Sequence, residues 1–456
     1  MLSYHFLNDL RKSFTHQLLS IINSSVTKNF CIYFAGALLL RSISLFSAPI
    51  TMNILNPHDY GLLALVNSFI SIAVVFAGFG LRQALSLEFF HLDEDNRKIL
   101  INDILGIYLV IGTPIFIGAF VCIPFINRSL FLNTAPSVLI AISLIICFIY
   151  FFVELFYQLL QYHCKAAALT TLQTTVALIT LTSQILFLWH LRLGVYSIIG
   201  AQLIGMLISL GVALYMYYQQ SCNSSFSLSR SFNTIRHYIK LGLPFIPSVL
   251  FGWILASSNR FILARYTTLH DVGIYAFADT FGQLFHMVIL HPLSGSYLPT
   301  LLTRFSQNKN SLIPIEHNNQ SIMRKSMVCA ACIIVGGFFL FRPLLFWILP
   351  HAYQEAINYI LITLLSYVFL LGQYFVSAFI QFHKKSWFLA FSLLIPSCIN
   401  LALNSILIPY CTIRGCCAIY GVVISSFISY AIYFLITLAY NHYLQRAYRN
   451  NDLSYQ

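Results

Sequence analysis

Charge is what this chain has least of: 8% of its 456 residues are Asp, Glu, Lys or Arg, against about 25% in an ordinary soluble domain. A water-facing shell cannot be built from so few. Missing too are a GxxxxGK[ST] phosphate loop, a GxSxG elbow and an HExxH helix, so neither ATP hydrolysis nor the commonest hydrolytic sites are provided for. No enzyme, cofactor or metal is expected. Acidic residues are scarcer than basic ones, and the net charge is +12. The basic residues sit in small groups between apolar runs rather than along one face, which argues against nucleic acid as a partner.

What fills the chain instead is hydrocarbon. Hydrophobic residues make up 59% and the mean hydropathy is +0.79. Apolar windows long enough to cross a bilayer recur near 30–55, 61–81, 101–126, 136–162, 166–190 and 194–218, then near 236–262, 273–297, 326–349, 355–382, 387–410 and 415–443,. This predicts an all-α polytopic membrane protein of twelve helices in two six-helix lobes, 30–220 and 236–443. A linker at 221–235 joins the lobes, and a tail at 444–456 follows. The first 29 residues have no cleavage site of the signal-peptide kind. There Leu2, Phe6, Leu10, Phe14, Leu18 and Ile22 recur every four residues, a pattern that suits an interfacial amphipathic helix, with a loosely ordered leader as the alternative. The cysteines, among them Cys122, Cys147, Cys332 and Cys398, lie mostly in apolar runs and read as small membrane hydrophobes.

Alternating the loops between two sides leaves only Arg128, Arg192, Arg260, Arg265 and Arg414 on one of them. The positive-inside bias then places both termini in the cytoplasm. The halves also echo each other. His58-Asp59-Tyr60-Gly61 with Ala64 returns as His270-Asp271-Val272-Gly273 with Ala276, and Tyr162-His163-Cys164-Lys165 is matched by Phe382-His383-Lys384-Lys385. Both echoes fall at corresponding loops, which indicates duplication. Six helices per unit make the repeats parallel, so a substrate is expected between the lobes.

Several charges fall inside the spans. Arg41 lies among Leu38, Leu39, Leu40 and Ile43, where insertion costs roughly 2.5–3.5 kcal/mol. It either faces a wet cavity as an anion-attracting group or pairs with a carboxylate. Arg260 in the seventh helix is read as a second cavity cation. Arg265 either joins it or snorkels to headgroups, and Arg82 either closes the cytoplasmic mouth or follows the positive-inside bias. Glu154, Asp279 and Asp103 are candidates for ion coupling or for charge pairing, and His286 and His291 titrate near neutral pH when unperturbed. Pro49, Pro114, Pro244, Pro247, Pro292 and Pro396 are candidate bends.

Taken in order, Asn56-Pro57-His58-Asp59-Tyr60-Gly61-Leu62-Leu63-Ala64, Gly78-Phe79-Gly80-Leu81, Leu241-Gly242-Leu243-Pro244-Phe245-Ile246-Pro247 and Asn259-Arg260-Phe261 carry a family likeness. So do Asn400, Asn404, Leu407-Ile408-Pro409 and Gly415. The chain resembles the polysaccharide repeat-unit flippases (Wzx-type) of the multidrug/oligosaccharidyl-lipid/polysaccharide exporter superfamily, whose architecture is MATE-like. The resemblance implies flipping of a polyprenyl-diphosphate-linked oligosaccharide, such as an O-antigen unit of lipopolysaccharide, across the inner membrane. It further implies membrane lipids and glycan polymerase or ligase machinery as partners. Asn259 departs from the Asp that often precedes this Arg in the family, which weakens ion coupling there. Cavity arginines suit a diphosphate. A cation-coupled multidrug antiporter, a lipid-linked peptidoglycan-precursor flippase and a membrane-embedded glycan polymerase or ligase remain alternatives. Short outer loops argue against the last.

Overall fold

The computed structural model describes residues 50–89, 92–163, 165–220, 232–307, 312–383, 385–415 and 417–449, with Gly36, Leu39, Leu40 and Ile43 singly. Every regular element among them is helical. Eleven of the helices are long and apolar enough to cross a membrane. The span expected near 30–55, and the amphipathic leader before it, fall largely or wholly outside the described residues. The linker is described only from Phe232, and the tail only to Arg449.

The first lobe contains α1 (Pro57–Ala77), α2 (Leu81–Glu88), α3 (Glu94–Val121), α4 (Ile123–Leu130), α5 (Ser137–Tyr162), α6 (Ala166–Leu186) and α7 (Val195–Gln220). The second contains α8 (Phe232–Gly242), α9 (Ile246–Tyr266), α10 (Leu269–Phe285), α11 (His291–Gln307), α12 (Leu312–Ile348), α13 (Ile357–Phe382), α14 (Ser386–Phe391), α15 (Leu394–Ile413) and α16 (Ala418–Arg449). Wide π-turns interrupt spans at Tyr108–Gly112, Phe187–Leu191 and His286–Leu290. Pro114 and Pro292 follow two of these, where the looser turn accommodates the ring.

The polar stretch that precedes the span expected near 326–349 is helical over 303–307 and 312–325. Alpha-12 runs for 37 residues, or about 55 Å at 1.5 Å per residue, well beyond the roughly 30 Å hydrocarbon core. Its polar start therefore projects past the bilayer. Cys329 and Cys332 on this helix carry a C-x-x-C spacing. Both are free and exposed, and no metal-ligand group of three forms among the described residues.

Both sequence echoes build the same local structure twice. Asn56 caps α1 by accepting the Asp59 N–H at 2.8 Å, and Thr268 caps α10 by accepting the Asp271 N–H at 3.3 Å. Each supplies an acceptor to an otherwise orphaned donor of the first turn. After α5 and α13 the chain turns alike: His163 and His383 donate their backbone N–H to residues four earlier, and Lys165 and Lys385 to residues five earlier. Burial pushes the pKa of both histidines below the ordinary value, with Lys165 and Lys385 adding repulsion. For His163, Arg97 also lowers it and Glu94 opposes, and for His383 the Phe379 carbonyl opposes.

Candidate functional site: the cavity between the lobes

Helix α1 runs against both α9 and α10, so the lobes meet along it. At its start, Gly61 lies so close to α10 that a Cβ there would strike the Leu269 carbonyl oxygen. A Cβ on Gly273 would strike the Pro57 carbonyl oxygen in turn. The repeated glycine of each lobe thus meets the backbone of the other. Tyr353 reinforces this end, donating its hydroxyl to the Leu55 carbonyl at 3.0 Å and meeting the Tyr60 ring edge-on. Beyond the opposite end of α1, Gly80 and Gly242 approach each other just as closely, and His237 sits 2.7 Å from Glu88.

Between these two contacts, by position along α1, Asn67 and Ser71 line a cavity of about 440 Å³. The second lobe contributes Arg260, Gln283, His286, Tyr367, Tyr430 and Tyr433. A volume of this order suits a small ligand or part of a larger one. Its wall sets hydroxyl, amide and aromatic groups among apolar Leu255, Ala256, Met287, Leu370 and Leu393.

Arg260 is the principal charge on that wall. One terminal nitrogen donates to Ser68 Oγ of the first lobe at 2.8 Å, and the other to Asp279 Oδ2 at 2.8 Å. Its Nε has no hydrogen-bond partner. Asp279 also accepts from Gln283 at 2.8 Å, and the two charged residues are 8% and 5% exposed. An unpaired guanidinium at that depth would carry a desolvation cost of several kcal/mol, and the carboxylate one helix away relieves it. Arg260, read from the sequence as a cavity cation and counted on a loop side, lines the cavity from within the span as the cationic half of a buried ion pair, with Asp279 in the charge-pairing role that was one of the two expected of it. Trp253 adds a second cross-lobe link, its indole donating to Ser71 Oγ at 2.9 Å and to the Ser68 carbonyl at 3.2 Å.

The other expected site residues lie as follows. Arg41 is outside the described residues. Arg265 is exposed on the last turn of α9, away from the cavity, because five residues carry a helix position to another face. Arg82 pairs with Glu154 at 3.1 Å, and its Nε reaches Gln158 at 3.4 Å. That pair adjoins a separate 130 Å³ hollow beside Gly80 and Phe245. His286 does line the main cavity, with Nε2 3.4 Å from the Tyr374 hydroxyl. Asp103 is buried in α3, and the side chain of His291 is outside the described residues. Asn259 takes part in a buried network, donating to Tyr275 at 3.1 Å and Ser426 at 3.0 Å and accepting from Asn404 at 2.7 Å.

Sequence reasoning passed over Ser68, Trp253 and the cavity tyrosines. Trp253 had a signal, as one of only four tryptophans and set inside a span. The tyrosines had none, since 27 are spread through the chain.

The sequence matches the family described as "Polysaccharide biosynthesis protein" over residues 26–305, more than half the chain. No curated protein matches it. Among solved structures, an inward-facing multidrug resistance MATE family transporter of the MOP superfamily superposes with a TM-score of 0.68 at 16% identity, covering 91% of this chain and all of that one. The lipid II flippase MurJ in an inward closed conformation gives 0.67 at 14% identity, covering 90% and 87%. A MOP superfamily transporter from Pyrococcus furiosus, described as having a binding pocket of reverse polarity, gives 0.57 at 15% identity, covering 92% and 96%. The fold is that of these multi-pass membrane proteins.

Proposed function

The chain belongs to the polysaccharide biosynthesis protein family, and from that premise we propose that it flips a polyprenyl-diphosphate-linked oligosaccharide from the cytoplasmic to the outer leaflet. Both termini are then cytoplasmic, the Gly61–Gly273 contact closes the outer end, and the lobes rock about the cavity. The flipped product passes to glycan polymerase or ligase machinery at the outer surface.

The observation that carries this reading is Arg260, set in the cavity wall with one bond to each lobe and one nitrogen unsatisfied. A diphosphate is a better partner for it than Asp279, because it offers more oxygens to the forked guanidinium. Cargo phosphate takes the place of Asp279 and Ser68 on Arg260. Loss of the Ser68 bond removes one tie between the lobes, so binding favours the conformation in which they part. Gln283, His286 and the tyrosines hold the sugars. The lipid tail stays outside, in the bilayer.

The test is surface glycan export in cells whose own flippase is deleted, with Arg260→Ala and Arg260→Lys compared at equal membrane abundance. Arg260→Ala should abolish export, while Arg260→Lys, which keeps the charge without the fork, should retain part of it. Full export by Arg260→Ala would overturn the proposal. Resistance to cationic drugs conferred on a pump-deficient host would favour antiport instead.

A further inference from the structure

Away from the inter-lobe cavity, the first lobe holds a groove made of two connected parts. Its mouth, about 280 Å³, lies at the start of α3 and the end of α5. Its trough, about 210 Å³, runs inward between α3, α5 and α7. The two share Ile101, Phe156, Leu159 and Tyr217, so they form one channel.

The trough is built by helical spacing. Ile101, Leu105 and Leu109 recur every four residues along α3, and Phe152, Phe156 and Leu159 face them from α5. From α7, Leu210 and Leu214 complete the wall. Stripes aligned in this way normally interlock and leave no gap wider than a water molecule. Here they leave an apolar slot, which water does not fill favourably and an alkyl chain does. Tyr217 stands at the junction and donates its hydroxyl to Asn102.

The mouth has the opposite chemistry. Arg97, Lys98, Lys165 and His163 surround it, with Glu94 as the acidic residue among the lining. Lys98 is engaged by Asp95 at 3.2 Å, which leaves Arg97 and Lys165 as the cations to meet a ligand. Arg97 is held in place: its Nε donates to the Phe89 carbonyl at 2.9 Å, and its guanidinium lies 4.8 Å from the centre of the Phe89 ring. The lowered pKa of His163 has burial as its main cause and Lys165 and Arg97 as the next, which records the positive field there.

We propose that this groove binds an anionic phospholipid of the surrounding bilayer, with its headgroup phosphate against Arg97 and Lys165 and one acyl chain along the α3–α5–α7 trough. Charge complementarity at the mouth and apolar surface behind it, in a span that faces lipid, select an amphiphile rather than a free anion or a neutral lipid. The site is separate from the inter-lobe cavity, and the inference does not depend on the transport reading.

The test uses the purified full chain stripped of lipid, with native mass spectrometry reading the lipid retained. Phosphatidylglycerol should bind about tenfold or more tightly than phosphatidylcholine, and the preference should shrink as salt rises. The double variant Arg97→Gln, Lys165→Gln should erase the preference while leaving residual binding to both lipids. Leu105→Trp, which fills the trough, should lower retention of both. If Leu105→Trp does not fold, Leu109→Phe tests the same wall. An unchanged preference in the double variant would overturn the proposal. So would inorganic phosphate raising the melting temperature as much as phosphatidylglycerol does, since that marks an anion site with no lipid specificity.

Discussion

The second lobe buries an ion pair, Arg260–Asp279, and two polar clusters, Asn259–Asn404–Asn400 and the carboxylate-centred Glu316–Asn319–Asn441, besides a stacked ring pair, Phe388–Tyr440, whereas in the first lobe ring packing gathers around Tyr108. There Tyr108 lies parallel to Phe151 with centroids 3.7 Å apart, and Phe148 and Phe152 pack around it. The Arg82–Glu154 ion pair of the first lobe is partly exposed. Hydrogen-bonded pairs have discrete partners that can be exchanged, so a lobe built on them has alternatives to switch between. Stacked rings offer no such exchange. The proposed cargo contact on the second lobe and the proposed lipid groove on the first are in keeping with this division.

The largest test of the comparison is to break the ion pair. Asp279→Leu or Arg260→Leu alone strands a buried charge and should cost about 3–5 kcal/mol in unfolding experiments in detergent. The double replacement should recover most of that while export stays lost. If the single changes are tolerated, the pair is solvated and the contrast between the lobes fails there.

A second test addresses the seam between the lobes. Gly61→Val and Gly273→Val should each cost about 1–3 kcal/mol by forcing backbones apart, and by nearly equal amounts, because each glycine meets the other lobe in the same way. Gly211→Val, where a side chain meets nothing, should show little effect. Melting temperatures check all three.

Within the lobes, Asn404→Leu leaves the buried Asn259 Oδ1 without its donor and should cost about 1–3 kcal/mol. Tyr108→Phe loses a single hydroxyl bond to the Phe148 carbonyl and should cost about 1 kcal/mol or less. The order of these two melting-temperature shifts sharpens the contrast directly.

The smallest effect concerns pH. His163 and His383 both have lowered pKa values, so the unfolded chain takes up their protons first as pH falls. Their contribution to stability is complete above about pH 6.5 and is lost as pH falls through that value toward the folded pKa. His383→Gln should flatten the acid limb of a melting-temperature profile between pH 7 and 5 more than His163→Gln, because His163 is the more exposed.

Much of the fold was legible because hydropathy alone fixes where spans lie. The predicted helices at 136–162, 194–218 and 387–410 stand against observed spans at Ser137–Tyr162, Val195–Tyr217 and Trp387–Ile413. The repeat was legible because Asp59 and Asp271 hold the same first-turn position and Gly61 and Gly273 meet the same demand for close backbone approach. Partnership was not. Arg260 and Asp279 both drew attention as charges inside spans, but nothing in a linear string says that α9 sets one beside the other. The same holds for Arg82 and Glu154. Arg265 looked similar to Arg260 by composition and differs only by the face it occupies. The lipid groove was hidden for a related reason: Leu105, Phe156 and Leu210 read as ordinary span residues, and the gap among them exists only in three dimensions.

The crossing of α1 with α10 is made by main chain on both sides, Gly61 against Leu269 and Gly273 against Pro57. At the crossing point itself main chain meets main chain, so any swivel there is set by backbone contact, while Tyr353 and the hydroxyls of Tyr60 and Thr280 beside it are the side-chain ties that must be released. It also ties evolution at one copy of the motif to the other, since any bulk added to either glycine is felt by both lobes at once.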